Sequence, residues 1–169
     1  MKRVKLDRID IRILQSLQQD GRMTNVELAK NAGISAPPCL RRVKALEEAG
    51  FIKSYHANLS ADQLGFGVTI FTHVNLNSHH ENDLIAFGKL VQTWPMVREC
   101  YLVTGESSAF MKVVAESWES YQKFLTTTVM AAPRVTQVKS TLIIKTLKTE
   151  VGIPLTEIPT KQKNRKRGE

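Results

Sequence analysis

Apolar positions recur along this chain with two periods, one helical and one of strand type. In residues 6–19, Leu6, Ile9, Ile13, Leu14 and Leu17 fall on one helical face. Asp7 can cap this helix, Asp10 lies in its first turn and Gly21 ends it. Thr24 followed three residues later by Glu27 is a capping-box pattern, opening a short helix whose narrow apolar side is Leu28, Ala29 and Ala32. Gly33 suits the left-handed position that closes it. A third helix lies in "GISAPPCLRRVKALEEAGFI", residues 33–52. Leu40, Val43 and Leu46 make its buried side, Arg41, Arg42 and Lys44 point away, and Gly50 ends it. Two short helices joined by a glycine turn, the second with outward cations, predict a helix-turn-helix over about residues 24–49. The following "FIKSYHANL" is rich in β-branched and aromatic residues and reads as strand or wing.

Pro37 and Pro38 stand where a helix's first N–H groups lack intrahelical partners, so they are tolerated there. They also remove the donors that a Ser35 cap would bind, and residues before proline avoid the α region. An irregular helix start near Pro37 or Pro38 is expected, with the Ser35 hydroxyl free for another partner such as a phosphate.

Beyond a short polar linker at 60–67 the period changes. Val68, Ile70, Val74 and Leu76 alternate as a half-buried strand, and Leu84, Phe87 and Val91 step as a helix. Residues 97–103 and 109–115 form a hairpin about "TGESS". Tyr121, Phe124, Leu125 and Thr128 make a second helical stripe, and 135–144 is the last strand. The order β-α-β-β-α-β is ferredoxin-like. The fold class is therefore α+β: a winged helix-turn-helix domain over 6–66, a ferredoxin-like βαββαβ domain over 67–150, and a basic tail over 151–169. Such a sheet carries helices on one face only, so pairing of two sheets in a homodimer is expected.

The charge supports a polyanion partner. Residues 1–66 hold 11 basic and 7 acidic residues, 67–150 hold 8 and 7, and 151–169 hold 5 and 2. The positive excess thus sits at the two ends, which favours double-stranded DNA as a partner of the first domain and the tail. "KQKNRKRGE", residues 161–169, has no apolar residue and is expected to be disordered. Cys39 and Cys100 offer neither a disulfide framework nor a C-x-x-C site, so both are read as reduced and the protein as cytoplasmic. No stretch approaches the roughly 20 apolar residues of a membrane span. The four histidines, the adjacent His79 and His80 included, have no partner at metal-ligand spacing. No catalytic motif, metal site or cofactor is expected.

"LDRIDIRILQSLQQDGRMTNVELAKNAGIS", "CLRRVKALEEAGFIKSYHANL", "VRECYLVTGES" and "YQKFL" resemble the leucine-responsive regulatory protein and AsnC family of transcription regulators, over roughly residues 6–150. The resemblance implies an N-terminal winged helix-turn-helix and a C-terminal effector and assembly domain. It also implies dimers, commonly assembled into tetramers or octamers, and a response to an amino acid or related small molecule. The candidate DNA contacts are Thr24, Asn25, Ser35, Pro38, Arg41, Arg42, Lys44 and Lys53. The effector turn implied by the resemblance is Val103, Thr104, Gly105, Glu106, Ser107 and Ser108. In that family the turn usually reads Gly, an acid, an aromatic, Asp, an aromatic. Gly105 and Glu106 fit, whereas Ser107, Ser108 and Ala109 do not, so leucine is expected to bind weakly or not at all. Two other functions compete: an enzyme on this architecture, as in the siroheme decarboxylases, and an effector-independent nucleoid protein. The outward cations of the third helix argue against the enzyme.

Overall fold

The computed structural model describes residues 6–78, 80–150 and 152–155. His79 and the basic stretch 161–169 lie outside the described residues. The chain divides into two compact units, one running to Asn58 and including the segment from Lys148, the other covering Leu59–Leu147.

The first unit is built on α1 (Arg8–Gln19), α2 (Asn25–Ala32) and α3 (Ala36–Glu48). Two capping boxes start the first two helices. Asp7 accepts from the N–H groups of Ile9 and Asp10 while the Asp10 carboxylate accepts from Asp7 N–H. Thr24 and Glu27 exchange the same bonds on α2. Each satisfies N–H groups that a helix end leaves unpaired. Gly33 closes α2 at φ 75°, where a β-carbon would be strained. Ile13, Leu28, Ala29, Ala32, Cys39 and Leu46 form the core. Complete burial of a side chain the size of Ile13 or Leu28 contributes about 1.5–3 kcal/mol.

Two sequence expectations are corrected here. α3 starts regularly at Ala36, not irregularly at Pro37 or Pro38. Its first intrahelical bond runs from Cys39 N–H to the Ser35 carbonyl, so both prolines occupy positions with no such bond to lose. The expected strand in "FIKSYHANL" is not formed: residues 52–60 enter no strand pairing among the described residues. β-propensity needs a neighbouring strand to act. Here Tyr55 is held by a hydroxyl bond to Glu47 Oε1 (2.8 Å).

The second unit carries β1 (Val68–Leu76), α4 (Glu81–Val91), β2 (Val97–Leu102), β3 (Ala109–Ala115), α5 (Trp118–Phe124) and β4 (Val135–Leu142). The sheet order is β2-β3-β1-β4, with every neighbouring pair antiparallel. α5 runs on into a π-helical turn, Leu125–Val129, closed by Met130 N–H to Leu125 carbonyl. The wider turn puts Val129 into the core and leaves the expected Thr128 half-buried. Ile70, Val74, Met111 and Val113 pack beneath Phe87, Val91, Trp94, Tyr121 and Phe124. Thr72, buried among them, bonds the Tyr121 hydroxyl (3.0 Å). The opposite sheet face carries Phe71, His73, Phe110 and Tyr101, and no element of this unit covers it among the described residues. Phe110 stacks on Phe71 (centroids 4.9 Å) and meets the His73 ring edge-on (4.8 Å).

Candidate nucleic-acid interface and effector turn

The phase of α3 decides which side chains it offers. Cys39 lies seven residues before Leu46 and shares its face, and its side chain is fully buried. Leu40, expected in the core, is 46% exposed. The core side therefore runs through Cys39, Arg42, Val43 and Leu46. The exposed side holds Ser35, Pro37, Leu40, Arg41 and Lys44.

Arg42 consequently does not point outward as expected. Its Nη1 lies 2.6 Å from Asp10 Oδ1 and 2.9 Å from Asp7 Oδ2. The two carboxylates that cap α1 thus also hold α3. The Asp10 hydrogen bond, chiefly, raises the Arg42 pKa further. Burial works to raise the Asp7 carboxyl, but the N–H of Asp10 and the Arg42 guanidinium outweigh it and hold it below the ordinary value. Arg42 is a brace between helices, whereas Arg41 and Lys44 have no ion-pair partner among the described residues.

The remaining candidates divide in the same way. The Thr24 hydroxyl accepts from Glu27 N–H and donates to Glu27 Oε2 (2.7 Å), so capping occupies it. Asn25 Nδ2 donates to the Ala36 carbonyl (2.9 Å), tying the start of α2 to the start of α3, and its buried Oδ1 has no partner among the described residues. Ser35 makes no side-chain cap bond and is exposed, as expected from the prolines. Pro38 is half-buried and Lys53 exposed. Sequence reasoning missed Leu40 and Pro37 on the exposed side. The signal was the seven-residue spacing of Cys39 and Leu46, with cysteine counted as a small apolar residue.

The turn between β2 and β3 exposes Val103, Thr104, Gly105 and Glu106, with Gly105 at φ 116°. Ser107 is half-buried. Ser108 is buried and faces inward: its Oγ accepts from Leu76 N–H (3.1 Å) and its N–H donates to the Val74 carbonyl (3.0 Å). Its side chain thus extends the ladder between β1 and β3 past their last paired residues. Among the described residues there is no cluster of metal-ligating side chains, and no helix is long and apolar enough to cross a membrane.

Three helices, the first two opened by capping boxes and the third with cations on its exposed side, followed in the chain by a βαββαβ unit, define a helix-turn-helix DNA-binding regulator with a second, ligand-binding type of domain. The chain belongs to the Lrp/AsnC family of transcription regulators. Residues 6–53 match the winged helix-turn-helix DNA-binding family, and residues 69–153 match the Lrp/AsnC ligand binding domain. The chain is 47% identical over 146 residues to the leucine-responsive regulatory protein of Rhizobium meliloti, covering 86% of this chain and 94% of that one. Among solved structures it is similar to a transcriptional regulator from Neisseria meningitidis in complex with L-methionine (34% identity, TM-score 0.85, 89% of this chain and 97% of that one). It is also similar to an AsnC family regulator from Agrobacterium tumefaciens (30% identity, TM-score 0.85, 91% and 100%). The relatives are named as transcription regulators, not enzymes.

Proposed function

We propose that this protein, working in the cytoplasm, reads duplex DNA with the exposed side of α3 and adjusts its regulation to an amino acid or a related small molecule. The observation that carries the reading is the division of cations on α3, with Arg42 spent on the fold while Arg41 and Lys44 stand exposed. Arg41 suits guanine O6 and N7 in the major groove, and Lys44 and Lys53 suit phosphates. Ser35 and Leu40 lie on the same side, where an apolar group can meet a thymine methyl. Thr24, Asn25, Pro38 and Arg42 set the geometry of the turn. The working division is a DNA-binding domain over 6–66 and an effector and assembly domain over 67–150.

The uncovered sheet face, with its stacked Phe71 and Phe110, supports a homodimer through the second unit, a building block for tetramers or octamers. The effector is assigned to the turn Val103–Ser107. The methionine complex of the Neisseria relative supports an amino acid as ligand. The missing rings and Asp of this turn favour one larger than leucine. The test is selection of bound duplexes from a random pool, repeated with Arg41→Ala and Lys44→Ala. Wild type is expected to enrich a two-fold-symmetric site, with Arg41→Ala relaxing one position per half-site. Equal affinity for enriched and random duplexes would replace this reading with a nucleoid-type function.

A further inference from the structure

We infer that residues 152–155 strap the returning chain to α1, and that Gln18 and Gly152 are positioning residues that set which half-site spacings the protein reads on DNA. The strap closes on one side chain. Gln18 Nε2 donates to the Ile153 carbonyl (2.9 Å), and Ile153 N–H donates to Gln18 Oε1 (3.0 Å). One amide thus satisfies both backbone groups of a residue 135 positions away. Leu155 N–H turns back to the same Ile153 carbonyl (2.9 Å), and Leu155 is buried. Gly152 permits the approach. It sits at φ 99°, and a β-carbon there would overlap Gln18 Cδ. Any other residue would strain the backbone and displace the amide that makes both bonds.

The strap adds a second attachment to the one the linker makes. The chain leaves the first unit after Asn58 and rejoins it at Lys148. β4 ends at Leu142, and Ile143 N–H still bonds the Thr69 carbonyl (3.0 Å). Beyond it the chain is unpacked, with Ile144 and Leu147 96% and 89% exposed, until the strap takes hold. With the strap closed, the second unit is tethered at both of its ends. With the strap open, the linker before β1 is left as the covalent tether. Two tethers restrict a unit more than one. In a homodimer built through the second units, that restriction decides which spacings both α3 helices reach together. Binding the second half-site is an intramolecular step, and its gain is lost where the tether geometry forbids both contacts. A strap that only sealed α1 against water would change stability and leave spacing alone.

The inference rests on the DNA-binding and homodimer readings above. Affinity is measured for a single half-site, for the enriched two-half-site operator, and for that operator with about five base pairs, half a helical turn, inserted between its halves. Wild type is compared with Gln18→Ala, Gly152→Ala and Gln18→Glu, whose carboxylate accepts from Ile153 N–H but donates nothing. Hydrogen exchange at Ile153 N–H reports the strap directly. Thermal melting and light scattering check that every variant is folded and assembled as wild type. The insertion is expected to weaken wild type about 100-fold and the two strap-opening variants only about tenfold, with Gln18→Glu between them. Affinity for the single half-site should be the same throughout. Equal penalties in wild type and variants overturn the inference, as does an Ile153 N–H that exchanges in wild type at the rate of an unfolded chain. A loss on the single half-site also overturns it, by placing the strap's effect on recognition itself. Wild type that binds no duplex would instead sink the DNA-binding reading, and a monomeric wild type the homodimer reading, each taking the inference with it.

Discussion

Arg42 on α3 donates to Asp10 on α1 at 2.6 Å, and that contact separates two adjacent arginines into different roles. Arg42→Ala leaves a mostly buried carboxylate oxygen without its cation, at an expected cost of about 1–2 kcal/mol. Arg41→Ala should leave stability unchanged and weaken operator binding by about 1–3 kcal/mol. Urea unfolding and titration of operator DNA, run on both variants, check this. The opposite pattern, a stable Arg42→Ala that has lost only DNA affinity, would show that Arg42 leaves Asp10 to meet the duplex.

Leu40, exposed between Pro37 and Arg41, should contribute through an apolar contact. Leu40→Asn is expected to cost about 1 kcal/mol of specific affinity with little change against random duplex. Competition binding with a thymine-to-uracil substituted operator locates the contact. If uracil weakens wild type and the variant equally, Leu40 does not meet a thymine methyl.

Acid should loosen the first unit through Asp7. Its carboxyl titrates below the ordinary value, so the stability it gives is present above about pH 3.9, the unfolded value, and is lost as pH falls through the lower folded one. Asp7→Asn keeps a capping oxygen but has no charge to titrate. Melting temperature plotted from about pH 5 to pH 2 should therefore fall less steeply for the variant. Parallel curves would place the acid sensitivity elsewhere.

The open sheet face gives an assembly test. Phe110→Asp puts a charge between Phe71 and His73, and like charges face each other across a two-fold pair. Light scattering is expected to show the variant as a smaller species than wild type at equal concentration. Identical masses would move the interface to another surface.

Ser108 separates fold from effector binding. Ser108→Ala leaves the buried Leu76 N–H without its acceptor, a loss of about 1–3 kcal/mol in stability. Ser107→Ala should leave stability alone and change the affinity for an amino acid measured by calorimetry. Micromolar leucine binding by Ser108→Ala would show that neither Ser108 nor the aspartate missing from this turn is needed.

Much of this protein could be read from short stretches of chain. Asp7 with Asp10, Thr24 with Glu27, and Gly33 after Ala32 announce the first two helices, because each signal and its partner lie within four residues. Alternation along Val68–Leu76 likewise announces a strand with one buried face. The two prolines were legible as tolerated, and their harmlessness followed once Ser35 proved to accept from Cys39.

What the local pattern left undecided was which of two overlapping apolar stripes on α3 faces inward. Leu40 is more apolar than Cys39, yet Cys39 is buried in one core with Ala29 and Ala32 while Leu40 stays exposed. That rotation turned Arg42 inward to Asp10, 32 positions away, and left Leu40 outside. Ser108 closing on Leu76 spans 32 positions and Gln18 holding Ile153 spans 135. The sequence by itself determined the helices and their caps, whose hydrogen bonds close over a few residues, and the alternation of sheet strands such as Val68–Leu76, which belongs to the strand itself. Tertiary structure decided which polar groups were consumed by the fold and which stayed free to act, because their partners are brought near only when the whole unit packs.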